Sequence, residues 1–421
     1  MIKMKNFLKN HHIQVFAIII AILMKILLSI HAVWSHDFIY ILRISLFDKN
    51  SYIPFIFLNN IIYRLWLWLP IEHPNLDLWL INQKDFPTSF SAYTLVFMLK
   101  LPILLSDIFI GFILYKLGSL LIKKNCYGNI FFLIWLLNPY VTLNAEMAGT
   151  IELIPISFLL LSVFFFIEKK FGLSFLAFAT SIFLKPLSIL LLPIFFIYSI
   201  RIKKKIFLKL IFTSIFGLIL YAYWVSYYGL GFLDSISYYN PLTQDFIQIL
   251  LTPYASRIGL GIAFVMLYYY LFYRVCEYSM LIYESIIKAF LGLFLFYFAF
   301  AFWHPKDLLW IIPFLTLDYF LTKSNKGYFI IFLFIAFILQ LILFDFTANH
   351  SLFFIRLNRK YAEFMIKFLN MLYEEGMRST AISLIFLPML KGIFSSLSIF
   401  YAIKTILKLK IFSKISKNHF S

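Results

Sequence analysis

Apolar residues run along this chain in long blocks, with polar residues gathered between them. They neither alternate as in a half-buried strand nor mark one stripe of a surface helix. A helix needs about 20 apolar residues to cross about 30 Å of hydrocarbon. Blocks of this kind recur near 13–33, 92–121, 128–147, 150–167, 172–184, 187–200, 208–228, 254–274, 280–302, 306–321, 328–346 and 379–403. The pattern predicts an all-α polytopic membrane protein with about twelve transmembrane helices and both termini on one side.

The positions of lysine and arginine orient these blocks. Lys3, Lys5 and Lys9 precede the first block, which lacks a small-residue cleavage site and reads as a retained signal-anchor with the N-terminus inside. Alternate loops then carry Lys123/Lys124, Lys169/Lys170, Arg201/Lys203/Lys204/Lys205 and Lys323/Lys326, and the basic tail 404–421 follows. All are expected on the cytoplasmic side of a multi-pass protein of the cell membrane. The outer side is then expected to hold a large first loop, 34–91, a second loop near 229–253 and a late loop, 347–378.

Two stretches strain this topology. Residues 52–69 are apolar enough to span, but Pro54, Asn59, Asn60 and Arg64 interrupt them, and a crossing there would put every later basic cluster outside. An interfacial helix is expected instead, with Tyr63, Trp66 and Trp68 at the headgroup boundary. Residues 172–200 lie between two cytoplasmic basic clusters, so the chain must go out and return in two short arms. Lys185-Pro186 becomes the apex of a hairpin, below the outer surface, where broken backbone needs protein or a watery cavity around it.

Composition closes off other classes. Hydrophobic residues make up 62% and charged residues 13% of the 421, against about 45–50% and about 25% in soluble domains, which excludes a soluble enzyme. Lys+Arg 37 against Asp+Glu 19 gives +18, but the excess follows the loops, so it points to membrane topology and not to nucleic acid. Cys126 and Cys276 offer no disulfide scaffold or metal cluster. No internal repeat stands out, and residues 1–421 read as one membrane-embedded unit.

Ionisable groups within or beside apolar blocks are costly, so each is a functional candidate unless helix packing explains it. Asp37, in Trp34-Ser35-His36-Asp37-Phe38, follows the first span at the outer boundary. There a carboxylate can meet both water and a lipid-borne substrate and serve as a general base; ending the span is the competing role. Lys100 and Asp107 share a face two turns apart in one helix, and pairing with neighbouring helices is the leading explanation. Glu146 and Glu152 bracket the turn 147–151, where paired carboxylates suit sugar hydroxyls and capping suits Glu152 equally. Lys185, His304-Pro305-Lys306, Arg356, Arg359 and Lys360 form an outer basic set whose natural partner is an anionic headgroup. No Walker loop, dinucleotide fingerprint, HExxH motif or paired aspartates in the first outer loop are present, so no nucleotide or cofactor is called for, and use of a divalent metal stays open.

Four segments taken together resemble a known superfamily: KLPILLSDIFIGFILYKLG at 100–118, WLLNPYVTLNAEMAGTIELIP at 135–155, FLKPLSILLLP at 183–193 and FWHPKDLLWIIPFL at 302–315. Their order is similar to that of the GT-C glycosyltransferases, nearest the archaeal and bacterial mannosyltransferase-like members and more distantly the enzymes that add the first mannose to GPI anchors. The resemblance implies a GT-C fold with interfacial helices in the first extracytoplasmic loop. It also implies transfer of a hexose, mannose first, from a polyprenyl-phosphate donor to a lipid-linked glycan or glycolipid, with inversion. Asp37 would then deprotonate the acceptor, while Lys185, His304 and the late-loop arginines would neutralise the phosphate leaving group. Competing readings are a transporter or flippase for a lipid-linked sugar and a structural membrane component.

Overall fold

Backbone amides in hydrocarbon have no water to bond, so a chain of apolar blocks must satisfy them internally. The protein is seen in a computed structural model that describes residues 2–31, 54–74, 89–122, 125–227, 283–300, 305–322, 326–343 and 392–404. Among these, every regular element is helical and no strand occurs. The chain divides into two compact units, residues 1–154 with 337–388 and residues 155–336 with 389–421.

The first unit contains α1 (Ile2–His31), α2 (Pro54–Leu67), α3 (Phe90–Ile122), α4 (Asn125–Leu136) and α5 (Pro139–Thr142), the last running into a π-helical turn, Leu143–Met147. Helix α3, 33 residues long, is the axis against which α1, α2, α4 and the π turn pack. Between α4 and α5 the chain bends by 47°. The cause is local: Pro139 cannot continue the hydrogen bonding of α4, and the Asn138 side chain accepts from the Tyr140 and Val141 amides, starting a new helix. Two residues past the π turn comes Gly149, whose φ of 68° suits a residue without a side chain, and the Thr150 amide closes the loop onto Asn144 O at 2.9 Å.

Helix α2 lies where the interfacial helix was expected, but its aromatics divide differently. Trp66 is 1% exposed and donates its indole N–H to Ser91 O at 2.9 Å, with Tyr63 stacked beside it at 5.6 Å. Trp68, two positions on, is 83% exposed. The expectation that both tryptophans mark a headgroup boundary is therefore corrected. Residues two apart on a helix face opposite ways, and the indole N–H of Trp66 finds its partner inside the unit.

The second unit holds α6 (Leu153–Ile167, from Pro155 on), α7 (Phe171–Leu184), a 3-10 helix (Pro186–Leu191), α8 (Leu192–Ile202), α9 (Lys204–Tyr227) and α10 (Tyr283–Phe300). A second 3-10 helix (Pro305–Trp310), α11 (Ile312–Thr322), α12 (Lys326–Leu343, up to Ala336) and α13 (Gly392–Lys404) complete it. Its core is aromatic: Phe195 lies 4.8 Å from Phe178, 5.1 Å from Phe290 and 5.3 Å from Phe166, ring centre to ring centre. Helices α7 and α9 lie along one another, close enough at Gly217 that a β-carbon there would stand 2.8 Å from Ala179 O. Small residues at such crossings let helices meet by close packing where hydrophobic burial gives no drive.

Two described helices, α3 and the Lys204–Tyr223 part of α9, are long and apolar enough to cross a membrane; the bent pair Gly128–Leu136 and Pro139–Met147 adds a third if it forms one span. Helix α9 presents Phe212, Phe216, Ile219 and Tyr223 outward, and α1 presents Phe16, Leu23 and Leu27. Such continuous apolar faces suit lipid, not water. The expected span at 254–274 and the late loop 347–378 lie outside the described residues, as does most of the first outer loop.

Gly217→Leu should force α7 and α9 apart and lower stability by about 1–3 kcal/mol. Gly172→Ala, with nothing within 4 Å of the added carbon, should leave it unchanged. Apparent melting temperature in detergent checks the contrast, and equal effects at both positions would contradict the close approach.

Candidate functional site

Each unit places ionisable side chains where helices break. In the first, Lys25 on α1, Lys100 and Asp107 on α3, and Glu146 in the π turn are each no more than 1% exposed. The Lys25 ammonium lies 2.8 Å from Asp107 Oδ2 and 3.0 Å from Glu146 Oε2. Trp135 steadies the aspartate, its indole N–H donating to Asp107 Oδ1 at 2.8 Å and to the backbone oxygen at 3.0 Å. Lys100 does a different job, donating to the carbonyls of Glu146 at 2.7 Å and Met147 at 3.1 Å, where the π turn ends and its last carbonyls lack amide partners. Lys100 and Asp107 thus share a helix but serve different neighbours.

Two basic and two acidic side chains balance in number here, which lets the cluster stay among apolar helices. Removing one partner of such a buried set leaves an uncompensated charge and costs about 3–5 kcal/mol, whereas the intact set contributes little net stability. The cluster therefore acts as a lock, fixing α1, α3 and the π turn in one arrangement. Among the described residues, Glu146 Oε1, Asn144 Oδ1 and Asn138 Nδ2 are buried without a hydrogen-bond partner.

In the second unit the break after α7 falls at Lys185, whose backbone is extended (φ −151°, ψ 119°), as the following Pro186 requires. Ser181 Oγ pins the break from below, donating to Pro155 O at 2.8 Å and lying 2.5 Å from Ser188 Oγ. The Lys185 ammonium reaches Asp307 Oδ1 at 3.3 Å, in the second 3-10 helix, with the two side chains 17% and 14% exposed. Its partial exposure leaves this pair more open to solvent than the buried lock.

The two 3-10 segments repeat a design. Each is six residues long, each opens with proline (Pro186, Pro305) after a basic or imidazole residue (Lys185, His304), and each leads to a helix with proline second (Pro193, Pro313).

The remaining sequence candidates fall as follows. Glu146 belongs to the lock, and Glu152 is buried immediately before α6. Lys306 is half-buried beside Asp307 in the chain. Asp37, His304, Arg356 and Arg359 lie outside the described residues, as does Lys360. Sequence reasoning passed over Lys25, Asp307, the buried Lys288, and Asp318, which accepts a hydrogen bond from the Tyr401 hydroxyl. For Lys25 and Lys288 the available signal was a lysine inside a long apolar block. Among the described residues, no group of three or more His, Cys, Asp or Glu is placed to hold a metal ion.

The fold and these sites define an all-helical protein with apolar helices of membrane-crossing character. No family model matches the chain, and no curated protein matches it.

Lys25→Met should destabilise the fold by about 3–5 kcal/mol, because two buried carboxylates lose their cation. Lys185→Met should cost less than Lys25→Met, because Asp307 keeps partial contact with solvent and Lys185 faces one carboxylate of the pair, not two. Unfolding in mixed detergent micelles measures both, and equal costs would contradict the distinction between a closed lock and an open pair.

Proposed function

We propose that the chain is an integral membrane glycosyltransferase that moves a hexose, mannose in the first instance, from a polyprenyl-phosphate-linked donor to a lipid-linked glycan or glycolipid at the outer membrane face. We further propose about twelve spans, both termini cytoplasmic, and a GT-C architecture in the cell membrane. The observation that carries the reading is Lys185: a partly exposed ammonium on irregular backbone among apolar helices, inside one of the four segments that resemble the superfamily. The other three segments also carry charged groups that the structure draws into ion pairs or hydrogen bonds: Lys100 and Asp107, Glu146, and Asp307.

In the proposed reaction the acceptor hydroxyl oxygen attacks the anomeric carbon while the bond from that carbon to the phosphate oxygen breaks. The hydroxyl proton passes to Asp37, and the polyprenyl phosphate departs with the bonding pair. Charge grows on the phosphate as the bond breaks, so a fixed cation such as Lys185 stabilises the transition state more than the ground state. Inversion follows from attack opposite the leaving group. The polyprenyl tail of the donor would lie between spans, among membrane lipids.

A second reading, a flippase for a lipid-linked sugar, is favoured by the paired proline-marked breaks at Lys185 and Pro305. Transporters build substrate sites from such interrupted helices in corresponding positions.

The test uses purified full-length protein in vesicles with labelled polyprenyl-phosphate mannose or glucose and a membrane-lipid acceptor extract. Transfer of label to a new glycolipid is expected, falling about 100-fold or more in Asp37→Asn as a lost general base requires. Donor crossing the bilayer unchanged would replace this reading with the flippase.

A further inference from the structure

We infer that Asp307 is the resident counter-ion of Lys185, a carboxylate that a lipid-borne phosphate displaces on arrival and that reclaims the lysine when the phosphate leaves. The inference rests on the reading of Lys185 as a phosphate-binding residue and assigns Asp307 a positioning role at that site. The protein contains both kinds of lysine–carboxylate pair, and their geometry separates them. Lys25 is held at 2.8 and 3.0 Å by two carboxylates, with side-chain exposures of at most 2%. Lys185 meets Asp307 at 3.3 Å, with exposures of 17% and 14%. The first is closed to solvent, whereas the second keeps the partial exposure through which an external anion would reach it.

Placement supports exchange over simple bracing. Lys185 and Asp307 each sit on a proline-opened 3-10 break, on elements already pinned by other contacts. Ser181 fixes the first break through Pro155 O and Ser188, and Trp310 and Leu309 bury the second. Each break thus has contacts besides the ion pair that hold it. An unpaired ammonium among apolar helices is costly, so an empty anion site requires a carboxylate standing in. A carboxylate carries one negative charge, as does a phosphodiester donor, whereas a phosphate monoester product carries about 1.5 to 2. The monoester therefore outcompetes Asp307 more strongly than the donor does. The returning carboxylate opposes that retention and favours product release. Lys306, next to Asp307 and half-buried, adds a second cation at the same break.

The experiment measures equilibrium binding of undecaprenyl monophosphate to the full chain in neutral-lipid nanodiscs, with inorganic phosphate as the soluble probe. The proteins are native, Asp307→Asn, Asp307→Glu, Lys185→Gln and the double variant. Asp307→Asn should bind the lipid phosphate about fivefold more tightly, as loss of a partly exposed competitor allows. Asp307→Glu should bind like the native chain, Lys185→Gln more weakly, and the double variant like Lys185→Gln. In the transfer assay Asp307→Asn should lower kcat and KM together. Unchanged or weaker binding by Asp307→Asn, with Lys185→Gln still weakened, would overturn the counter-ion role and leave the phosphate reading standing. Native binding retained by Lys185→Gln, or no binding by the native chain to either probe, would overturn both. A response of both probes to Asp307→Asn supports recognition of the phosphate group itself, and a response of the lipid alone supports the lipid phosphate as ligand. A response confined to inorganic phosphate would overturn the lipid assignment.

Discussion

A charge among apolar helices must be cancelled where it sits, and Lys25 is where the first unit meets that constraint. Two carboxylates from different elements, Asp107 and Glu146, converge on one ammonium. At under 2% exposure a carboxyl group is costly to bury without such a partner. The path of the chain after Asn138 follows from this. The bend starts a new helix, and the widened π turn brings Glu146 inward, while Lys100 takes up the carbonyls left at its end. A π turn carries a local penalty in ordinary helices and recurs where side chains must be re-aimed. Here it aims a carboxylate at a lysine from a helix more than a hundred residues earlier.

The second unit meets the same constraint differently. Its breaks at Lys185 and Pro305 use proline to open the helix and 3-10 turns to restore the backbone bonds. The Ser181 hydroxyl ties the end of α7 to α6 through Pro155 O. Beside these contacts the Lys185–Asp307 pair remains partly exposed. One unit thus uses charge as a fastener, and the other holds charge in a form that a ligand can use.

The helices themselves were legible in the sequence, because apolar blocks with few interruptions leave the backbone no other solution in hydrocarbon. The 92–121 block became α3, and the Lys185-Pro186 apex became a break, since a lysine before proline is a local signal. Pairing was not legible. Lys25 and Glu146 are 121 residues apart, and Lys185 and Asp307 are 122 apart, distances that no periodicity spans. Lys25 was lost within a block whose average hides one charge, and Asp307 was hidden beside the more conspicuous His304 and Lys306. Asn138-Pro139 did carry the sequence signal for a bend, but the apolar run on both sides concealed it. Trp66 shows the limit of composition as a guide: an aromatic-rich amphipathic helix suggests an interface, yet the side chain that faces inward is chosen by a partner, Ser91 O.

The distinction between a closed lock and an open anion site is tested most directly by accessibility. Single cysteines at Lys185 and at Ser29, a buried residue one turn beyond Lys25 on α1, would be introduced after replacing Cys126 and Cys276. A negatively charged thiol reagent would then be applied to open membrane fragments. Modification at position 185, with no modification at position 29, is the expected result. Modification at 29, or a position 185 that does not react, would contradict it.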